Sequence, residues 1–193
     1  MVTPDSPVVL ALAGGVGGAK LTLGLARCLS PDDLMICVNT GDDETFHGLH
    51  VSPDLDTMMY TLSGLSNQEN GWGLAGDTFT ALEMLRKFGV DTWFNLGDRD
   101  FATHIRRTQL LAEGKTLSEV TTELNRSLGV FHGVTPMSND PVKTVLQTDE
   151  GELPMQRYFV GRRAEPKVSE VRYLGAENAA AAPGLQTTLA RAG

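Results

Sequence analysis

Little of this sequence is basic, and little of it is cysteine. Its 16 Lys and Arg stand against 24 Asp and Glu over 193 residues, a formal net charge of −8. A chain with that balance lacks the cationic surface that nonspecific binding to nucleic acid or anionic lipid requires, so neither is an expected partner. The acidic excess does not repel every anion, because a local cluster of carboxylates can hold a divalent cation against a phosphate. The two cysteines, Cys28 and Cys37, fall in a predicted helix and a predicted strand, with neither CxxC nor Cys/His ligand spacing. Both read as buried apolar filler in a reducing compartment. No apolar run reaches membrane-spanning length, and the opening "MVTPDSP" lacks the basic region of a secretion signal, so the expected location is cytoplasmic. There is no GxSxG elbow and no cysteine–histidine nucleophile pattern. Repeats, low-complexity segments and linkers are missing too, which leaves one α/β domain.

What is present begins with "PVVLALA", a β-branched apolar run that suits a central parallel strand covered on both faces. Four glycines follow, then a predicted helix from Ala19 to Leu29 with Leu21, Leu25 and Leu29 on one face, then a second strand from Leu34 to Val38. Strand, glycine loop, helix and strand within roughly thirty residues make a βαβ unit with an expected right-handed crossover. Its geometry places residues 14–18 and 39–43 on the carboxyl edge of the sheet, where open parallel sheets bind ligands.

Farther on, Asp54 to Leu62 reads as a helix capped by Asp54 or Ser52. The segment "GDTFTALEMLRKFG" reads as a helix capped by Asp77 and ended by Gly89. Trp93 to Leu96 is a predicted short strand, and Phe101 to Glu113 a helix. Thr116 with Glu119 opens another helix as a capping box, closed by Gly129. "VKTVLQTDEGELPMQRYFV" alternates and turns at Asp149 to Gly151, the pattern of a β-hairpin, and "KVSEVRYLGA" is one more strand.

The glycine loop, "GGVGGAKL", satisfies neither familiar phosphate motif. A Walker loop needs Gly-Lys followed by Ser or Thr, and the dinucleotide fingerprint needs a glycine where Lys20 stands. It still opens a helix, whose free N–H groups and dipole favour an anion; a tight turn without a ligand is the alternative. Beside it, "NTGDDETFHGLHVSPDLDT" holds Asp42, Asp43, Asp54 and Asp56, hard oxygen ligands suited to Mg²⁺ with substrate phosphates. Singly, Asp42 also fits a turn and Asp54 a helix cap. Together, a glycine loop for a diphosphate and carboxylates for its metal describe a phosphoryl-transfer site. In "LGDRDFATHIRRT", Arg99 either clamps a phosphate or planar ring, or pairs with Asp98 and Asp100, and His104 is either a base or a packed histidine. His47 and His50 lack zinc spacing, and Ser138, Asn139 and Asp140 are explained by turn chemistry.

The stretches "GGVGGAKLTLGL", "NTGDDETFHGLHVSPDLDTMMYTL", "GWGLAGDTFTALEML", "WFNLGDRDFATHIRRTQLL", "MSNDPVKT" and "GAENAAAAPGL" closely resemble, in order, the 2-phospho-L-lactate transferase (CofD-like) family. The resemblance implies an open, mostly parallel Rossmann-like sheet with helices on both faces and a β-hairpin insertion. Members of that family are longer, so it also implies one α/β domain, residues 1–193, incomplete at its C-terminal end relative to them. It implies an Mg²⁺-dependent enzyme of coenzyme F-420 biosynthesis and suggests a homodimer. The reaction moves a phospholactate, phosphoenolpyruvate or phosphoglycerate group from a guanosine-diphosphate-linked donor to the ribityl hydroxyl of 8-hydroxy-5-deazariboflavin and releases GMP. On this resemblance the loop holds the donor diphosphate, Asp42 or Asp43 binds the metal, Asp56 positions the acceptor hydroxyl, and Arg99 contacts acceptor or phosphate. The expected substrate-binding set is Gly14, Gly15, Gly17, Gly18, Lys20, Asp54, Asp56, Arg99 and His104, with Asp56 also catalytic. A non-catalytic nucleotide-binding regulator, or an inactive truncated homologue, is the competing reading; "SPDLDT" together with "GDRDFATH" favours the transferase.

Overall fold

A computed structural model describes residues 8–191. Strand β1 (Val9–Ala13) runs through the glycines into α1 (Gly15–Cys28) and on to β2 (Leu34–Val38), parallel to β1 with Ala11 opposite Ile36 and Ala13 opposite Val38. This is the expected βαβ unit. The helix starts earlier than its apolar periodicity suggests, because the glycines form its first turn. A Cβ on Gly18 would lie 3.1 Å from the Ala13 Cα, so only glycine lets α1 start this close to the strand it follows. Nor does the predicted leucine face turn fully inward. Ala19 and Thr22 are the buried residues of α1, whereas Leu21 is 60% exposed. The small pair lets α2 approach, and the Thr22 hydroxyl reaches 2.9 Å from the Met58 sulfur.

After β2, β3 (Glu44–Phe46) and β4 (Leu49–Val51) form a hairpin that three-residue strands are too short to announce by alternation. Its turn residues His47 and Gly48 both have positive φ, 53° and 79°, the type I′ geometry that matches strand twist. Next come α2 (Pro53–Leu62), buried from Leu55 to Thr61, then α3 (Thr80–Lys87), α4 (Asp98–Ala112) and α5 (Leu117–Ser127), which opens on the expected Thr116/Glu119 capping box. The segment Trp93–Leu96 is not a strand. Its aromatic residues instead pack on β3: Phe94 stacks on Phe46 at 4.1 Å and Trp93 meets both rings edge-on at 5.5 Å.

Strand β5 (Gly133–Pro136), which no sequence signal marked, completes the central sheet in the parallel order β1-β2-β5. The expected hairpin is β6 (Lys143–Thr148) with β7 (Gly151–Pro154). Its second arm ends sooner than the alternation implied, and the chain enters a π-helical turn at Arg157–Gly161. Strand β8 (Val168–Leu174) pairs antiparallel with the other edge of β6, and α6 (Pro183–Arg191) follows.

Alternation sorts the two faces of the central sheet. Ala11, Ile36, Val38 and Val134 join Ala19 of α1 and Leu55 and Met58 of α2 in one core. Thr135 points to the opposite face, where α6 packs so closely that a Cβ on Gly184 would lie 3.0 Å from the Thr135 hydroxyl. Helices therefore cover both faces. Of the two cysteines, Cys37 is buried as expected but Cys28 is exposed, on the outer side of α1. No helix among the described residues is long and apolar enough to cross a membrane.

Candidate active site

Parallel strands bring their following loops to one edge. The Asn39 N–H donates to the Ala13 carbonyl at 3.0 Å and the Met137 N–H to the Val38 carbonyl at 2.8 Å, so the glycine loop, residues 39–43 and the turn after β5 adjoin. Gly14 is extended, no side chain caps α1, and the helix's first internal bond runs from Gly18 N–H to the Gly14 carbonyl at 3.2 Å. The N–H groups of the first turn are left to an anion, assisted by the helix dipole.

Facing this terminus are two carboxylates joined by one amide. Asn39 Nδ2 donates to Asp42 Oδ2 at 3.2 Å and to Asp54 Oδ2 at 2.9 Å, while its Oδ1 accepts from the Gly41 N–H at 2.9 Å. The same Asp54 oxygen is 3.1 Å from where a Cβ on Gly14 would stand, so glycine is what admits it. Burial, followed by the charges of Asp54 and Asp43, raises the Asp42 pKa against hydrogen bonds from Thr144 and Asn39. Carboxylates crowded in this way fit a divalent cation. Among the described residues no three His, Cys, Asp or Glu side chains form a ligand cluster. A cation here would therefore draw most of its shell from water and phosphate, which is the habit of Mg²⁺.

Asp43 is engaged elsewhere. Its Oδ2 accepts from the Ser52 hydroxyl at 2.7 Å and lies 3.1 Å from His50 Nε2; its Oδ1 has no partner among the described residues. Burial raises its pKa, opposed by the bonds from His50 and Ser52. Of the two expected metal ligands, only Asp42 shares the Asn39 amide, and Asp54 is its companion. Ser52, His50 and Asp43 do not make a hydrolytic triad, because one histidine nitrogen, Nε2, faces both other groups.

The structure places Asp56 and His104 inside the protein. Arg107, on α4, donates through both terminal nitrogens to the two oxygens of Asp56, Nη1 to Oδ2 at 3.1 Å and Nη2 to Oδ1. Asp56 is 5% exposed and His104 1%. His104 Nδ1 is 3.3 Å from Arg107 Nη1, and its Nε2 is 3.2 Å from Asp100. Tyr60 donates to Asp100 at 2.6 Å, and its hydroxyl oxygen lies 2.8 Å from the Thr103 hydroxyl, which is free to donate back to it. Burial opposes the charge of Arg107, but Asp56 outweighs it and holds the guanidinium protonated more firmly than usual. Burial likewise opposes ionisation of Asp100, yet His104, Tyr60 and Arg107 bring its pKa below the ordinary value.

Arg99 stands exposed in the first turn of α4 and donates to the Ala75 carbonyl at 2.9 Å, not to Asp98 or Asp100. Those acids belong to a reciprocal arrangement. Asp98 accepts from the Thr78 hydroxyl and the N–H groups of Thr80 and Ala81, capping α3, while Asp77 accepts from the N–H groups of Arg99 and Asp100, capping α4. The expected cap of α3 is thus the cap of α4. The loop that Arg99 holds reaches the glycine loop, for a Cβ on Gly71 would lie 3.0 Å from Val16. Lys20 is exposed on α1. Sequence reasoning missed Asn39, Ser52 and Arg107. A usable signal existed for Arg107: Asp100, His104 and Arg107 fall at i, i+4 and i+7, a charged stripe along one face of α4.

A parallel sheet carrying a glycine-rich helix terminus and paired carboxylates at its carboxyl edge defines a Rossmann-like α/β protein. The family model described as "2-phospho-L-lactate transferase CofD" matches residues 9–193, and the chain belongs to that family. It is 46% identical over 189 residues to a phosphoenolpyruvate transferase of Streptomyces avermitilis, covering 95% of this chain and 59% of that protein. It is 43% identical over 182 residues to a 2-phospho-L-lactate transferase of Methanopyrus kandleri, covering 94% of this chain and 58% of that one. The chain therefore spans rather less than two thirds of the length of these relatives. A crystal structure of a Bacillus halodurans protein shares the fold at a TM-score of 0.58 and 16% identity, covering 96% of this chain and 57% of that one.

Proposed function

We propose that this chain carries the Mg²⁺-dependent transfer of a phospholactyl-type group, from a guanosine-diphosphate-linked donor to the ribityl hydroxyl of 8-hydroxy-5-deazariboflavin, in coenzyme F-420 biosynthesis. The observation that carries the reading is the Asp42–Asn39–Asp54 cluster set against Gly14 at the uncapped start of α1. Family membership supports the substrate class, because the relatives are named for 2-phospho-L-lactate and for phosphoenolpyruvate; phosphoglycerate is the third acid of the same class that this reading admits.

In this reading the free first-turn N–H groups of α1, from Gly15 to Gly17, bind the donor's diphosphate; Gly18, whose N–H closes the first helical bond, admits the close strand-to-helix turn, and Lys20 lies farther along the same helix. Asp42 and Asp54 hold the metal, which when bound neutralises charge on the diphosphate. Asp54, placed beside the glycine loop, also orients the acceptor hydroxyl; Asp56 has both oxygens engaged by Arg107 and supports from behind. The acceptor oxygen bonds to the phosphorus of the phospho-acid, the bond from that phosphorus to the bridging oxygen breaks, GMP leaves with that oxygen, and the hydroxyl proton is released. Positioning and charge neutralisation suffice for such a displacement.

The test mixes the purified chain with acceptor and each donor, with Mg²⁺ or with chelator, and follows GMP. The expected result is release that needs both acceptor and Mg²⁺. A folded chain that neither releases GMP nor binds the acceptor by calorimetry would overturn the transferase reading.

A further inference from the structure

Arg107 is among the largest side chains wholly inside the protein, 2% exposed, yet it carries a full charge. An apolar pair of similar volume in place of Arg107 and Asp56 would fill the same space without desolvating two ions, so stability alone gives no reason for it. What the guanidinium adds is direction, since a two-pronged bond fixes the plane of a carboxylate as well as its place. The carboxylate so fixed belongs to the first turn of α2, two residues after Asp54. Arg107 also reaches the His50 carbonyl in the middle of β4, so it ties α4 to both elements flanking Ser52. At its other end α4 presents Arg99, which holds the loop resting on Val16.

We propose that Arg107 is a positioning residue: from α4 it sets the first turn of α2 so that the Asp54 carboxylate stays on Asn39, opposite Gly14. This deepens the transfer reading and rests on it. Arg107 bonds Asp56, His104 and a backbone carbonyl, and acts on the reacting groups only through them.

The test compares Arg107→Lys with the unmodified chain, because lysine keeps the charge but not the fork. Amide hydrogen exchange is read over residues 53–57 and over β2, alongside kcat and KM for transfer. The expected result is exchange about tenfold faster in 53–57 with β2 protection unchanged. With it, kcat falls about tenfold while KM stays within about threefold. Arg107→Gln, should it fold, shows the larger effect in the same direction. Wild-type exchange in 53–57, or faster exchange there with wild-type kcat, would overturn the proposal and leave Arg107 as packing. If the unmodified chain itself shows no transfer, the functional reading has failed, and unchanged exchange in 53–57 or its local loss still decides whether Arg107 sets that turn.

Discussion

Replacing Asp42 with asparagine should make the metal-free protein more stable. Both carboxylates receive a bond from Asn39 Nδ2, of 3.2 and 2.9 Å, which keeps the accepting oxygens within reach of each other. Taking them as about 5–6 Å apart with an effective dielectric constant of about 20, their repulsion is roughly 3 kcal/mol. Asparagine removes that repulsion and weakens the hydrogen bonds that Asn39 and Thr144 give to a charged acceptor, by about 1–2 kcal/mol. The net gain of about 1–2 kcal/mol corresponds to a Tm rise of roughly 2–8 °C for a domain of this size. The sign with pH follows from the raised Asp42 pKa, caused first by burial and then by Asp54. The folded state binds that proton more tightly than the unfolded one, so no penalty exists below the ordinary aspartate pKa of about 4. It grows as pH rises towards the folded value and is constant above it. Thermal melts in chelator should therefore show the variant above wild type at pH 7.5 and the two converging near pH 4. In saturating Mg²⁺ the order should narrow or reverse, because wild type gains binding energy that the variant does not. A variant melting below wild type in chelator at pH 7.5 would refute the reasoning: the carboxylate's hydrogen bonds would then outweigh the repulsion.

Two further expectations concern the reciprocal caps. Asp77→Ala leaves the Arg99 and Asp100 N–H groups without their acceptor and should cost about 1 kcal/mol in chemical denaturation; no change would show that water replaces the cap. Asp98, held at a pKa of about 2 by the Thr78 hydroxyl and the Ala81 and Thr80 backbone, contributes stability that is full above the ordinary aspartate pKa and is lost as pH falls through its own. Asp98→Asn should accordingly flatten the fall in Tm as pH drops towards 2, and an unaltered acid limb would assign that fall to other groups.

The sequence was most legible where one element obeys one period. The βαβ unit, the limits of β2, and the α5 capping box follow from apolar runs, glycines and a four-residue pattern, all of them local. Strand β5 was hidden because four residues, one of them glycine and one proline, show no period. The β3-β4 hairpin was hidden because its turn residue His47 is seldom found at positive φ. At the site, sequence singled out the acidic motifs but could not show which partner each carboxylate meets. Asp42 and Asp43 are neighbours in the chain with opposite fates, one sharing an amide with Asp54 and the other bonded to Ser52 and His50. Asp54 and Asp56, two positions apart on a helix, point to different sides of it. Only the tertiary partner distinguishes the members of each pair. The same holds for Asp77 and Asp98, where α3 is capped by the first residue of α4 and α4 by the segment preceding α3.

These assignments make the acids separable by the sign of a single substitution. Asp56→Asn changes the same atoms as Asp42→Asn, yet Asp56 faces a buried guanidinium rather than another carboxylate. Neutralising it leaves the Arg107 charge inside the protein with half of its fork unanswered. Breaking one side of a buried pair costs about 3–5 kcal/mol, or roughly 6–20 °C of Tm here. The two variants, made fourteen positions apart in one acidic stretch, should thus move Tm in opposite directions in the same metal-free buffer. If both lower it, the Asp42–Asp54 pair is not a site short of positive charge, and the case for a cation there falls. If both raise it, Arg107 is hydrated and does not hold α2. Opposite shifts would assign Asp42 to ligand binding and Asp56 to the support behind it, without any substrate having been added.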